Sequence, residues 1–407
     1  MFARPMALLC CFAACQPKAP ADPSDDPLDY PVDSSVQYQA VLGEPKWLIP
    51  SGHLPKGLFP RASNNNVDLH FFHGRLYLAW RTAPTHFAST ETKMQIISSD
   101  DDGERWRLEK TIEMGCDMRE PSFTVIGDVL RFQFFQAGSD PVAFTPITQW
   151  RTTLKADGTW SELESWGPDE EISWNVKLRG GALWRTSYAG THYDLGAKPD
   201  IRVSFTKSTD GTTWSNVKGD GVVYRGGVSE VAFEFAADGS LWAVTRNEDG
   251  DSTGFGSHVC TAPRDDPGTW ACSAHSNPQR YDSPKMFRHG DELYLVARRD
   301  VGGQFDENRA DLSFAEQQRL YLLDYWYRPK RTALYRINQE THAIEWVLDF
   351  PSSGDTAFPS VIRVDAHRWL IANYTSPLDD LNTSWVDGQT SDKGTQIYLI
   401  ELRFDAK

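Results

Sequence analysis

One pattern recurs six times between Asp68 and the C-terminus, and a chain built that way has few folds open to it. A Trp closes a polar turn at Trp106, Trp160, Trp214, Trp270 and Trp346, at spacings of 54, 54, 56 and 76 residues. Turn residues Gly74, Gly127, Gly181, Gly239, Gly290 and Asp365 keep the same beat, at 53, 54, 58, 51 and 75. Both series stretch at one place, so an insertion lies between Asp300 and Lys330. Each unit reads as an apolar strand, a Gly or Asp turn, a second aromatic-rich strand such as Leu76–Trp80 or Leu293–Ala297, and a third strand running into the Trp-ended turn. Units of roughly 40 to 55 residues and about four strands are the signature of propeller blades. The chain is therefore predicted to be all-β, a six-bladed β-propeller over residues 37–407. Its sixth unit ends after the strand Thr395–Arg403 with no closing Trp, while an orphan strand ends at Trp47. Residues near Val41 to Trp47 are predicted to supply the outer strand of the last blade, closing the ring.

The first 36 residues do not fit the repeat. Met6–Ala14 is apolar and far too short to span a bilayer, so residues 1–15 read as an export leader. The Ala13-Ala14-Cys15 sequence resembles a bacterial lipoprotein signal with lipidation at Cys15; simple secretion is the other outcome. Residues 16–36, rich in Pro, Asp and Ala, suit a flexible tether. The chain is expected to be exported, to meet a membrane only through such an anchor, and to be a monomer. Of the cysteines beyond the leader, Cys260 and Cys272 flank a Pro-Gly turn that sets them opposite each other across a hairpin, and they are predicted to pair. Cys116 is then left as a buried thiol. A net charge of −15 with no Lys/Arg run argues against nucleic acid as a partner.

The Trp-ended turns carry more detail. Ser208-Thr209-Asp210-Gly211-Thr212-Thr213-Trp214 fits the Asp-box, one residue short, and Ser98–Trp106 is a looser copy. On these turns the chain resembles the sialidase superfamily, whose members are six-bladed propellers with Asp-boxes between the third and fourth strands of blades. The resemblance implies a glycosidase site at the mouth of the axis, with three Arg on a sugar carboxylate, a Tyr nucleophile, its Glu partner and an Asp acid/base. Ser229–Phe233 with Arg246 is similar to the segment bearing the Glu and second Arg, which gives Glu230 and Arg246 those roles. Arg298 or Arg299 stands in for the third Arg. Asn64–Asp68 lacks the first, leaving Arg81 or Arg61 to replace it. Asp355–Ser360 resembles the nucleophile segment with Phe358 where the family has Tyr, and the acid/base loop Arg81–Phe87 offers His86.

Independently of any family, a propeller brings the starts of its inner strands to the axis, which here gathers Asp68, Glu120, Asn175, Glu230, Asp282-Ser283 and Phe358. The ends of the second strands add Arg81, Tyr188, Arg246, Arg298-Arg299 and Tyr374. Glu120 and Glu230 are candidates for acid and base, with Asp68 and His86 as further catalytic candidates. Arg81, Arg246 and Arg299 would hold a carboxylate or sulfate. Arg298, Tyr188, Tyr374, Asp355 and Phe358 are further binding candidates, although Asp68 and Asp355 also suit caps at strand starts. The same charges can instead pair across blades around a solvated channel, as Arg119-Glu120 and Glu230–Arg246 would. No metal, nucleotide or serine-nucleophile motif is present, so no metal or cofactor is expected. Two functions follow: a sialidase-like, exo-acting glycosidase on a possibly acidic extracellular glycan, or a non-catalytic propeller binding glycan or protein. The insertion at 300–330, with a helix-like run from Phe314 to Leu323, either overhangs the mouth or decorates the rim.

Overall fold

A computed structural model describes residues 22–141, 143–194, 196–305, 309 and 311–407. The expected leader, Cys15 and the first residues of the tether lie outside the described residues. Six sheets follow one another around an axis, each an antiparallel meander whose first strand is innermost. The inner strands are Ser63–Phe72, Asp117–Ile126, Ile172–Arg179, Val231–Phe235, Tyr281–His289 and Ser360–Arg363. Side chains alternate between the two faces of each sheet, so every blade presents apolar residues to both neighbours. Between blades 5 and 6, Phe287, Tyr294, Trp369, Tyr398 and Phe404 form one such core.

The sixth blade closes with the chain's own beginning. Tyr38–Leu42 and Lys46–Ile49 both pair antiparallel with Gln396–Ala406, lying along the far and near parts of that strand. The ring is thus stapled by backbone hydrogen bonds between its two ends.

The Trp-ended turns are held by their own side chains. Ser208 Oγ accepts from the Gly211 amide at 2.8 Å, and Asp210 Oδ1 from the Thr212 and Thr213 amides at 2.7 Å each. Those donors hold the Asp210 carboxyl well below the usual range. Gly211 has φ +69°, which L-residues avoid. Not every Trp of the series packs alike: Trp106 is buried, whereas Trp346 is 58% exposed and bonds Asp349.

The tether expectation needs correction for residues 22–36. This segment crosses the propeller face opposite the mouth and touches the turns of several blades. Asp22 accepts from the amide of Gly74, Asp25 pairs with Arg179 at 3.0 Å, Asp26 accepts from the Gly180 amide, and the Tyr30 ring lies against Arg363. The Asp residues that suggested disorder here find exposed backbone donors at the blade turns.

Cys260 and Cys272 are directly opposed across the outer hairpin of blade 4 and form a disulfide. Cys116 is a free, half-buried thiol. Among the described residues no helix is long and apolar enough to cross a membrane.

The insertion leaves blade 5 after Asp300 and returns at Lys330. It contains α1 (Phe314–Trp326), opened by a reciprocal capping pair of Ser313 and Glu316. Tyr321 and Tyr325 of α1 pack with Phe255, Phe305 and Trp385, the last from α2 (Trp385–Thr390). Leu322 and Trp326 thereby face the mouth, so the insertion overhangs it.

Candidate active site at the propeller mouth

The inner strands of blades 1, 2, 3 and 5 each bulge where they reach the mouth. The bulges push Asn66, Glu120, Trp174 and Ser283 out of the ladder. Asn66, Glu120 and Ser283 are left-handed, with φ of +50°, +56° and +52°, as is Ala357 of blade 6 at +67°. Such a backbone costs about 1 kcal/mol or more per non-glycine residue. Bulges re-aim side chains, and here they turn three polar residues toward one space.

That space is a pocket of about 460 Å³. Its floor carries Glu120, Glu230, Arg119, Arg246, Arg298 and Ser283. Its walls carry Tyr188, Tyr193, His86 and Tyr374, and its rim is apolar, with Phe87, Phe144, Leu322, Trp326 and Trp385.

The two glutamates are held differently. Glu230 Oε1 accepts from Arg246 Nη1 at 2.5 Å and Oε2 from the Ser283 amide at 2.9 Å, so both oxygens face donors, as an ionised carboxylate requires. Among the described residues Glu120 has one hydrogen-bond partner, the Asn66 amide group at 3.3 Å. Burial first, and the Glu230 charge second, push its carboxyl up to about 8. Burial raises Glu230 as well, against the pull of Arg246. Of the two, Glu120 has the surroundings that favour the protonated form more, and Glu230 those that favour the carboxylate.

The arginines are all engaged. Arg246 Nη2 bonds the Tyr193 hydroxyl at 3.0 Å and Glu248, and its Nε lies 3.4 Å from Asp282. Arg298 donates from Nε to the Thr356 carbonyl at 2.7 Å and from Nη2 to Ala357 O and Ser283 Oγ, with its plane over Trp385. Arg119 bonds Asp117 through Nε and the His86 carbonyl through Nη2. His86 itself pairs through Nδ1 with Asp355 at 2.7 Å, and burial lowers its imidazole below the usual value.

Several residues expected at the mouth lie elsewhere. Asp68 sits deeper in the axial channel, accepting from Ser360 Oγ at 2.7 Å and the Phe123 amide, and lines a separate chamber of about 160 Å³ together with Asn175 and Lys285. The bulge at Asn65–Val67 shifts the strand, so Asn66 takes the position of Glu120 in blade 1. Arg81 is fully enclosed by Asp117, Phe87 O and Thr92 and does not line the pocket. Arg61 pairs with Glu91 on the surface. Arg299 points to the opposite face of its strand from Arg298 and clamps Asp349. Asp355 lies behind the wall, where its carboxylate accepts from His86, Tyr374 and Trp385.

Glu120, Glu230, Arg246, Arg298, Tyr188, Tyr374, His86 and Phe358 do meet at the pocket. Phe358 stands edge-on to Trp174 with ring centroids 4.9 Å apart. Sequence reading missed Asn66, Tyr193, Glu248 and Trp385. The Asn64-Asn65-Asn66 run was a signal for Asn66, since Asn tolerates the left-handed backbone of a bulge. Nothing local marks Tyr193, on the loop that follows Gly190, or Trp385, the first residue of α2.

Fold and pocket together define a six-bladed, sialidase-like propeller whose mouth carries a carboxyl pair among arginines and aromatics. Comparison with solved structures agrees at the level of the fold. The chain is similar to a Dyadobacter fermentans protein of unknown function, at 13% identity, TM-score 0.57, and 90% and 99% coverage of the two chains. It is also similar to the phage phi92 endosialidase, at 11% identity and TM-score 0.55, covering 92% of this chain and 70% of that one. The match to Trypanosoma rangeli sialidase has 15% identity and TM-score 0.54 over 84% of this chain, and spans only 55% of that protein's length. No protein-family model and no curated protein matches the sequence.

Proposed function

We propose that this chain is a glycoside hydrolase, with Glu120 as proton donor to the leaving oxygen and Glu230 as its ionised partner. The observation that carries this reading is the unequal pair: two buried carboxyl groups in one pocket, Glu230 saturated with donors and Glu120 pushed up to about 8. Glycosidic cleavage needs a carboxylic acid and a carboxylate flanking one bond, and unequal surroundings assign the roles. Arg246 and the Ser283 amide hold Glu230 in place, and the apolar rim excludes water from the bond being cut.

A tyrosine nucleophile is not favoured. Phe358 has no hydroxyl, and burial keeps the phenols of Tyr188 and Tyr374 well above their ordinary value, hence protonated. The roof formed by α1 and α2 suits removal of a terminal sugar from a chain end. With an export leader, the substrate would be an extracellular glycan.

The test is a panel of aryl glycosides given to the intact chain and to Glu230→Gln. The reading expects turnover of at least one member and a loss of roughly 10²-fold or more in kcat/KM in the variant. No turnover, with glycan binding unchanged in Glu230→Gln, would identify a non-catalytic glycan-binding propeller instead.

A further inference from the structure

Arginine in a sugar pocket implies an acidic ligand only when a guanidinium edge is free to take the anion. A carboxylate or sulfate is best held by two parallel N–H donors from one planar fork. Here no fork is free. Of the nitrogens of Arg246, Nη1 is taken by Glu230 and Nη2 by Tyr193 and Glu248, while Nε makes no hydrogen bond and is buried 3.4 Å from Asp282, out of a ligand's reach. Arg298 spends Nε and Nη2 on two backbone carbonyls and Ser283, and its Nη1 lies 3.4 Å from the Tyr325 hydroxyl. Arg119 keeps Nη1 alone without a partner among the described residues, since Nε and Nη2 are taken by Asp117 and His86 O.

Charge counting leads the same way. Arg246 and the wholly buried Arg280 pair with Glu230, Glu248 and Asp282, and Arg298, which makes no ion pair among the described residues, adds its charge near Asp282, so three guanidiniums stand beside three carboxylates. On the other wall, Arg81 and Arg119 face Asp117, and the charge left over is met by Asp355 behind a neutral His86. With Lys285 set against Asp68 below and Asp140 adding a carboxylate to the lining, the cations around the pocket are matched by carboxylates, so an anionic sugar would bring an uncompensated charge into a buried site. What the pocket does offer are groups that read hydroxyls: the two glutamates, the His86 Nε2, which has no partner among the described residues, and the Asn66 amide. Aromatic rings at the rim suit the C–H faces of a sugar.

We propose that the pocket is built for an uncharged sugar, a neutral furanoside or pyranoside, and that its arginines orient catalytic carboxylates instead of binding a substrate anion. This rests on the glycosidase reading and narrows it. Glu248 then acts as a positioning residue: it occupies the Arg246 edge that would otherwise take an anion.

The experiment compares 4-nitrophenyl glycosides of neutral pentoses and hexoses with the matching glucuronide and galacturonide and an aryl sialoside, near pH 6.5 and at low salt. In parallel, N-acetylneuraminic acid, glucuronic acid and neutral monosaccharides are titrated into the protein by calorimetry. The expected result is a preference of roughly 100-fold or more in kcat/KM for a neutral glycoside, with no detectable binding of either sugar acid. A sialoside or uronide as best substrate, or a sugar acid that binds more tightly than every neutral sugar, overturns the proposal. If no glycoside is turned over, the glycosidase reading fails, and the calorimetric comparison still decides the charge preference. Glu248→Ala supplies a positive control: vacating the Arg246 edge is expected to create sugar-acid binding. Should that variant not fold, the unmodified protein's panel and titrations decide alone.

Discussion

At the scale of single residues, the site depends on where one proton sits. Glu120 has its carboxyl raised from about 4.5 to about 8, which ties stability to pH. Below about pH 4.5 folded and unfolded chains both hold the proton, and the group contributes nothing. Between about 4.5 and 8 only the folded chain holds it, so stability falls as pH rises through that window. Glu120→Gln cannot titrate there. Its melting temperature, measured against the parent by thermal unfolding, is expected to gain steadily from pH 5 to roughly pH 8. A constant difference across that range would mean that Glu120 titrates normally. Glu230→Gln has a different effect: its amide keeps one acceptor oxygen for two donors, Arg246 Nη1 and the Ser283 amide, and its main expected result is the loss of turnover described above.

At the scale of elements, α1 is the part of the site that the repeat does not supply. Trp326 and Leu322 reach the pocket only because Tyr321 and Tyr325 anchor the helix against Phe255, Phe305 and Trp385. Trp326→Ala is expected to raise KM about tenfold with little change in kcat, since the ring lines the pocket rim away from the carboxyl pair. A fall in kcat alone, from steady-state kinetics, would place Trp326 in the chemistry. The elements also show what could be read in advance. Blade number, closing strand, insertion point and the Glu230–Arg246 pair all follow from periodicity, because side-chain direction in a strand is set by position. Periodicity fails at bulges, where one extra residue changes which side chain faces inward. That is why period-2 counting puts Asp68 at the mouth where the bulge puts Asn66, and why counting alone does not choose between Arg298 and Arg299. Arg81 misled for another reason: its strand end is right, but Asp117 and the loop carbonyl of Phe87 enclose it, and that loop's path is not written in the period.

At the scale of the whole molecule, the propeller is a ring of similar blades whose closure depends on its first strands. A chain starting at residue 55 lacks both segments that pair with Gln396–Ala406 and leaves that edge bare. It is expected to lose the sharp, single unfolding transition of the full chain in a calorimetric scan; equally sharp melting would show that closure is not needed. The segment 22–36 adds a second tie across the opposite face, through Asp25 on Arg179, which Glu234 also holds. The first tie completes blade 6 and the second joins blades 3 and 4, so both restrain the ring around which the mouth is built.

The claim that Glu120 is the acid of a glycosidase is tested most directly by leaving-group dependence. Kinetics of Glu120→Gln would be measured on the best sugar carried on two aglycones, a 2,4-dinitrophenolate that departs unaided and an alkyl alcohol that needs a proton. The expected result is near-parental cleavage of the dinitrophenyl glycoside, with a loss of roughly 10²-fold or more on the alkyl glycoside. Equal losses on both, or no loss on either, would contradict the assignment.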